Sequence, residues 1–213
     1  AIQAWATRSA YVRNSSSFPQ QGVAIEDSLK NDIADEEKLD PFGIVADELN
    51  TMSRRMREQV ASEVPALSTA AEYFFRAGAE GKRFRPTVLL LLASATYPNG
   101  SDDTSLELRR RQQTIAEITE MIHVASLLHD DVIDDSDSRR GMESVNAKMG
   151  NKLAILAGDF LLARASISLA KLGNIEVIYL LSSVIEHLVK GEVMQMNGSA
   201  EDRKNIDYYM QKT

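Results

Sequence analysis

The sequence predicts an all-α protein. From residue 40 onward, apolar side chains recur at three- and four-residue steps, as one buried helix face requires. The five prolines and eleven glycines of the 213 residues are spread widely enough to leave long uninterrupted stretches. No strand-like alternation, internal repeat or low-complexity tract stands out. The length suits one sizeable core, or at most two small domains.

The first 25 residues differ from the rest. Arg8 and Arg13 are their only charges, Ser9 and Ser15 to Ser17 lie among them, and the first acid is Glu26. Basic, serine-bearing, acid-poor composition is that of an organellar transit peptide, and equally that of a disordered tail. Residues 26–40 are acidic and weakly periodic, so residues 1–39 read as a transit-like or disordered segment plus linker, and 40–213 as the structured part. Asp40-Pro41 offers a cap followed by proline at the first helical position, and Ile44, Val45, Leu49, Met52 and Met56 continue one face. Further helices are expected over 68–77 and 86–95, before Pro98-Asn99-Gly100-Ser101 breaks the chain. A long helix over 105–134 follows, and its part 121–128 is apolar nearly all round, which marks burial inside a bundle. A loop at 136–141 leads to helices over 152–172 and 175–196, separated by Gly173-Asn174 and ended by Asn197-Gly198. A final helix starts near 202 and is still in mid-course at Thr213.

Composition excludes several functions. There are no cysteines, so disulfides, iron–sulfur clusters, thiolate zinc sites and cysteine nucleophiles are out. A net charge of −7, from 24 basic and 31 acidic residues, gives no general reason to expect nucleic-acid binding. The longest wholly apolar run, 88–93, is far below the ~20 residues that span a bilayer, so no transmembrane segment is expected.

The chemistry concentrates in His129-Asp130-Asp131-Val132-Ile133-Asp134-Asp135-Ser136-Asp137-Ser138-Arg139-Arg140-Gly141, where five aspartates fall within eight residues. Carboxylates at a helix C-terminus oppose its dipole by about 0.3–1 kcal/mol each. Like charges at i and i+4, such as Asp130 and Asp134, add about 0.2–0.5 kcal/mol of repulsion. A solvated acidic helix end would show the same residues, but this one is attached to a helix buried on all sides, so its first carboxylates should emerge at a cavity mouth. Hard-cation binding wants that arrangement: magnesium takes oxygen ligands, keeps waters, and is held by one or two carboxylates plus substrate phosphates. Arg139 and Arg140 add the opposite sign, suited to bidentate phosphate contacts. A second basic cluster, Gly81-Lys82-Arg83-Phe84-Arg85-Pro86, leads into a helix and reads as another phosphate site or a basic loop. His123 lies two helical turns before Asp130 and on roughly the same side, as a core histidine also could.

Together these motifs make the sequence resemble the trans-polyprenyl diphosphate synthases, within them the long-chain solanesyl and decaprenyl type. The likeness rests on Gly81 to Pro86, on Glu120-Met121-Ile122-His123-Val124-Ala125-Ser126-Leu127-Leu128-His129-Asp130-Asp131, on Ser138-Arg139-Arg140-Gly141, and on Leu156-Ala157-Gly158-Asp159-Phe160-Leu161. The resemblance implies an isoprenoid-synthase helical bundle around a central cavity. It implies Asp130 and Asp134 as magnesium ligands with Asp131 in support, all three catalytic. It implies Arg139 as an allylic diphosphate contact, and Lys82, Arg85, His123 and Arg140 as the isopentenyl diphosphate site. Ala125 and Ser126, one turn deeper than Asp130, stand where bulky aromatics stop chain growth in the family. Their small size implies a product longer than fifteen carbons, built on a farnesyl or geranylgeranyl primer. A homodimer, a mitochondrial location (or a plastid or cytoplasmic one), and use of the product in a ubiquinone-type quinone also follow from the resemblance alone.

The match departs in two places. Glu80 stands where the family's basic motif usually has a first glycine. The family's second aspartate-rich motif is absent, and Lys212-Thr213 resembles its lysine–threonine pair but falls too early after Arg140. The chain therefore reads as the N-terminal two-thirds of one synthase domain, inactive or nearly so on its own. A non-catalytic partner subunit fits the missing motif. A class I terpene cyclase would share the aspartates but would not need Lys82, Arg83 and Arg85. A metal phosphohydrolase built on His129 and Asp130 would need more histidine ligands than His123 and His187 supply.

Overall fold

A computed structural model describes residues 40–75, 81–96 and 102–212. The transit-like segment, the linker, Glu80, the break at Pro98 to Ser101 and Thr213 lie outside the described residues. The order is α1 (Pro41–Ile44), α2 (Ala46–Val60), α3 (Pro65–Glu72), a 3-10 turn (Tyr73–Phe75), α4 (Phe84–Thr96) and α5 (Asp103–Ile133). Strands β1 (Ser138–Arg139) and β2 (Met142–Glu143) follow, then α6 (Val145–Met149), α7 (Asn151–Leu172), α8 (Ile175–Asn197), a 3-10 turn (Asp202–Lys204) and α9 (Ile206–Lys212). Residues 41–213 make one compact unit.

Helix α5 is the axis of the bundle. Asp102 caps it by accepting from the Ser105 backbone N–H at 3.2 Å, so the helix starts earlier than its apolar pattern does. Its apolar stretch is buried as expected: Ile118, Met121, Ala125 and Leu128 are fully covered. Helix α7 packs against α5 most extensively, α4 lies against it as well, and α2 also touches it. Two polar anchors fix α2 to α5. Glu48 accepts from Arg109 Nε at 2.7 Å and from Gln113 Nε2 at 2.7 Å. Buried Glu117 accepts from Gln59 Nε2 at 3.1 Å and faces Arg55. Asn174 caps α8 through the Val177 N–H, and Gly173, at φ 64°, supplies the left-handed residue that ends α7.

Several expectations need correction. The first helix is two, because Val45 leaves helical geometry and becomes the buried entry to α2. Helix α3 begins at Pro65, three residues early, since proline is pre-set for a first helical turn. The expected loop at 136–141 holds a two-stranded hairpin, and α6 follows it. The absence of a long apolar run also did not capture α7. This helix averages a hydropathy of 1.7 over eighteen residues, enough by length and composition to cross a membrane, although polar residues such as Asp159 and Arg164 break its apolar run. A third of that window is buried within the molecule. Helix α8 buries little, and Tyr179, Leu180, Val189 and Met196 on it are more than half exposed.

Candidate active site

The last turn of α5 delivers the carboxylates, and each meets a different environment. Asp131 is 2% exposed. It is clamped by Arg139, whose Nε donates to both carboxylate oxygens at 2.9 and 3.0 Å and whose Nη2 reaches Oδ1 at 2.7 Å. That bond raises the Arg139 pKa further above its usual value. Asp130 is half-buried, and Asp134, the cap residue of α5, is exposed. Burial pushes the Asp130 carboxyl up, and the charges of Glu192 on α8 and of Asp134 push it the same way. Two aspartates therefore present oxygens at the open end of the helix while the third holds an arginine in place.

The segment after α5 is stitched back onto the helix. The Ser136 N–H donates to the Asp131 carbonyl at 2.9 Å, Asn146 Nδ2 donates to the Asp131 and Ser136 carbonyls, and Ser144 Oγ donates to the Ser136 carbonyl at 2.6 Å. Ser138 pairs with Glu143 and Arg139 with Met142, leaving Arg140-Gly141 as a two-residue turn. Both turn residues have positive φ, 54° and 78°, as a type I′ hairpin requires. The hairpin separates the adjacent arginines: Arg139 turns to Asp131, whereas the Arg140 guanidinium lies against the α-carbon of Gly81, where any Cβ would collide with it. A larger residue at 81 would have to push that guanidinium aside.

Arg140 thereby joins a basic cleft of about 470 Å³ formed with Lys82, Arg83, Arg85, His123 and Glu120. Arg85 Nη1 lies 3.0 Å from His123 Nε2, and because arginine can only donate, this nitrogen is the acceptor of a neutral imidazole. The charge state agrees. Burial, then Arg85, Arg140 and Arg139, lower the His123 pKa from 6.5 to about 4. The unfolded chain thus binds a proton between about pH 6.5 and 4 that the folded chain refuses, so this group costs stability as pH falls through that window. A His123→Gln variant is expected to lose less stability than the parent between pH 6.5 and 4 in urea titrations. Equal losses would refute that.

The structure thus brings Lys82, Arg85, His123 and Arg140 together, and separately brings Asp130, Asp131, Asp134 and Arg139 together. Two carboxylates at the site stand outside the candidate residues. Glu120 sits in the basic cleft, raised by burial and opposed by Arg85, Arg140 and Arg83. Its signal was the i, i+3 spacing to His123. Glu192 faces Asp130 from a different helix; Gly191-Glu192 resembles cavity-facing positions of the family, although helix packing accounts for it equally well in the sequence. Ala125 is fully buried in the core, and Ser126 Oγ bonds the His123 carbonyl at 2.9 Å. His129 Nε2 lies 3.2 Å from the Ile155 carbonyl, packed over Gly158 of α7.

The donors at the aspartate end fit a hard divalent cation. They are all carboxylate oxygens, and their mutual repulsion on Asp130 is what such an ion would relieve. Among the described residues no three acidic or imidazole groups converge into a finished metal site. A cation there would need oxygens from water and from a bound phosphate, which is how magnesium is usually held.

An all-α bundle whose central helix carries a carboxylate end and, two turns away, a basic cleft defines the isoprenoid-synthase architecture. The chain belongs to the polyprenyl synthetase family, whose model matches residues 64–213. It is 61% identical over 186 residues to the mitochondrial solanesyl-diphosphate synthase 1 of Oryza sativa subsp. japonica, covering 84% of this chain and 43% of that protein. It is 57% identical to the chloroplastic/mitochondrial solanesyl diphosphate synthase 3 of Arabidopsis thaliana, over 84% of this chain and 44% of that one. The fold matches a decaprenyl diphosphate synthase from Rhodobacter capsulatus with a TM-score of 0.69 at 29% identity, covering 81% and 50% of the two chains. It also matches a polyprenyl synthase from Caulobacter crescentus complexed with calcium and isoprenyl diphosphate, with a TM-score of 0.68 at 27% identity, covering 81% and 49%. The chain thus spans less than half the length of these two plant relatives.

Proposed function

We propose that this chain carries the first metal–diphosphate site and the isopentenyl diphosphate site of a long-chain trans-polyprenyl diphosphate synthase. The observation that carries the reading is the pair of opposite poles on one helix: Asp130 and Asp134 at its end, and the Arg85–His123–Arg140 cleft about 10 Å along it at 1.5 Å per residue. Asp130 and Asp134 would hold magnesium, which when bound supplies neutralisation of the allylic diphosphate as a leaving group. Arg139, oriented by Asp131, stands beside that group. Lys82, Arg85, His123 and Arg140 fix the diphosphate of isopentenyl diphosphate, with His123 accepting from Arg85 and so aiming the guanidinium. The allylic C–O bond breaks with its electron pair on diphosphate, the double bond of isopentenyl diphosphate forms the new C–C bond, and a proton leaves the adduct. The side chains contribute fixed charge, not a nucleophile.

The small Ala125 and Ser126 support a product longer than fifteen carbons, used in a ubiquinone-type quinone. The exposed apolar side chains of α8 support a homodimer. A mitochondrial or plastid site of action fits the named relatives. The test is condensation of labelled isopentenyl diphosphate with farnesyl diphosphate and magnesium, by this chain and by a full-length polypeptide containing it. Products beyond twenty carbons, shortened by Ser126→Phe, are expected from the latter. Failure of this chain to bind isopentenyl diphosphate in a Lys82- and Arg85-dependent way would overturn the reading.

A further inference from the structure

A second charged cleft, of about 500 Å³, opens between α2, the first half of α5 and the last turns of α7. Sixteen residues of α5 separate Thr114 in its wall from Asp130, about 24 Å of helix, so it is not an extension of the aspartate end. Its lining holds Arg55, Arg110, Arg111, Arg164 and Lys171 against Glu107 and Glu117, a net +3 on a chain whose total is −7.

The floor is built. Glu117, 2% exposed, accepts from Gln59 Nε2 at 3.1 Å and from Arg55 Nη1 at 3.4 Å, and Ser168 Oγ on α7 donates to Gln59 Oε1 at 3.2 Å. Arg55 is thus spent on Glu117, and Arg111 on Glu107 at 3.1 Å. Among the described residues no carboxylate comes within ion-pair reach of Arg110, Arg164 or Lys171. Arg164 is held in place, with Nη2 on the Ala61 carbonyl at 3.0 Å and its guanidinium over the Phe160 ring at 5.1 Å. Its Nε is nevertheless buried with no acceptor among the described residues. A buried donor without a partner is rare and asks for one. Lone arginines on a convex surface are merely solvated; here three unneutralised cations from two helices surround a concavity with a fixed floor. Ile167, half exposed, and Leu172 add an apolar wall.

We propose that this cleft is an anion-binding site distinct from the reaction site, shaped for a phosphate or diphosphate group attached to an apolar body. Arg110, Arg164 and Lys171 take the phosphate oxygens, and Ile167 and Leu172 take the apolar part. The group can come from a free diphosphate or from the headgroup of an anionic lipid. The experiment uses this chain with Lys82→Ala and Arg85→Ala, so that the reaction-site cleft is weakened. Two probes are measured: inorganic pyrophosphate without magnesium by calorimetry, and phosphatidylcholine vesicles with and without phosphatidylglycerol by co-sedimentation. One retained site is expected, weakened at least about tenfold by the added pair Arg110→Glu and Lys171→Glu. Neither residue has an ion-pair partner among the described residues, and circular dichroism checks that the fold survives. Pyrophosphate binding identifies a free diphosphate as the source, and binding only to phosphatidylglycerol vesicles identifies a lipid headgroup. Binding of neither probe, or binding indifferent to the Arg110 and Lys171 changes, overturns the site.

Discussion

In the synthase proposed above, Asp130→Asn is expected to reduce magnesium-dependent condensation at least about a hundredfold, the scale on which loss of one preorganised charge-stabilising group acts. The metal-free fold is expected to be no less stable for it. Both parts follow from the position of the carboxyl. Asp130 makes no ion pair among the described residues, and burial together with Glu192 and Asp134 holds its pKa above the usual value. A raised carboxyl pKa means the ionised form is worse off folded than unfolded, so its penalty is present at neutral pH and is relieved as pH falls. Asparagine removes the penalty along with the proposed metal ligand. Asp134→Asn, at an exposed cap position, should likewise spare the fold while weakening magnesium dependence. The measurements are a magnesium titration of the condensation rate and a metal-free thermal melt of each variant. Turnover by Asp130→Asn with unchanged magnesium dependence would remove Asp130 from the site. A lower melting temperature would show that its charge stabilises the fold.

How much of this could be read in advance divides along local and non-local lines. The long helices α5, α7 and α8 were legible within two residues, because a buried face repeats at helical spacing and Asp102, Gly173 and Asn174 terminate them by local chemistry. The bend at Val45 was not, since α1 and α2 share one apolar rhythm across it. Nor was the hairpin: Arg140-Gly141 is not the asparagine- or aspartate-glycine pair that favours positive φ at both positions, and the burial of Arg139 against Asp131 outweighs that preference. Read as a loop, Arg139 and Arg140 have no geometric reason to diverge, and only the family resemblance assigns them to different diphosphates; the turn sends them to different partners. The candidate residues themselves were all visible as motifs. What local spacing does not show is Glu192 opposite Asp130, which only the family resemblance offers as cavity-facing, and Glu120 amid the charges of three arginines, because burial and the helices that converge there create those charges' effects.

Arg139→Ala is expected to destabilise the fold by about 3 kcal/mol, and Asp131→Ala by no more than about half of that. The asymmetry comes from burial. The Asp131 side chain is 2% exposed and the Arg139 side chain 28%. Removing the arginine strands a carboxylate where water cannot reach it, the case in which a broken buried pair costs about 3–5 kcal/mol. Removing the aspartate leaves a guanidinium with access to solvent, and the polar bonds that tie 136–146 to α5 survive because they end on the Asp131 carbonyl, not on its carboxylate. For a unit of this size, 3 kcal/mol corresponds to a fall of about 6–12 °C in melting temperature. The double variant Arg139→Ala, Asp131→Ala should be more stable than Arg139→Ala alone, since no buried charge is left unpaired. A double-mutant cycle in urea reads both statements at once. Additive losses would mean that the two side chains are not energetically coupled, and Asp131 would then have to be explained by something other than the arginine it holds. Coupling of the expected sign would assign Asp131 a structural duty, keeping Arg139 beside the two aspartates that face outward.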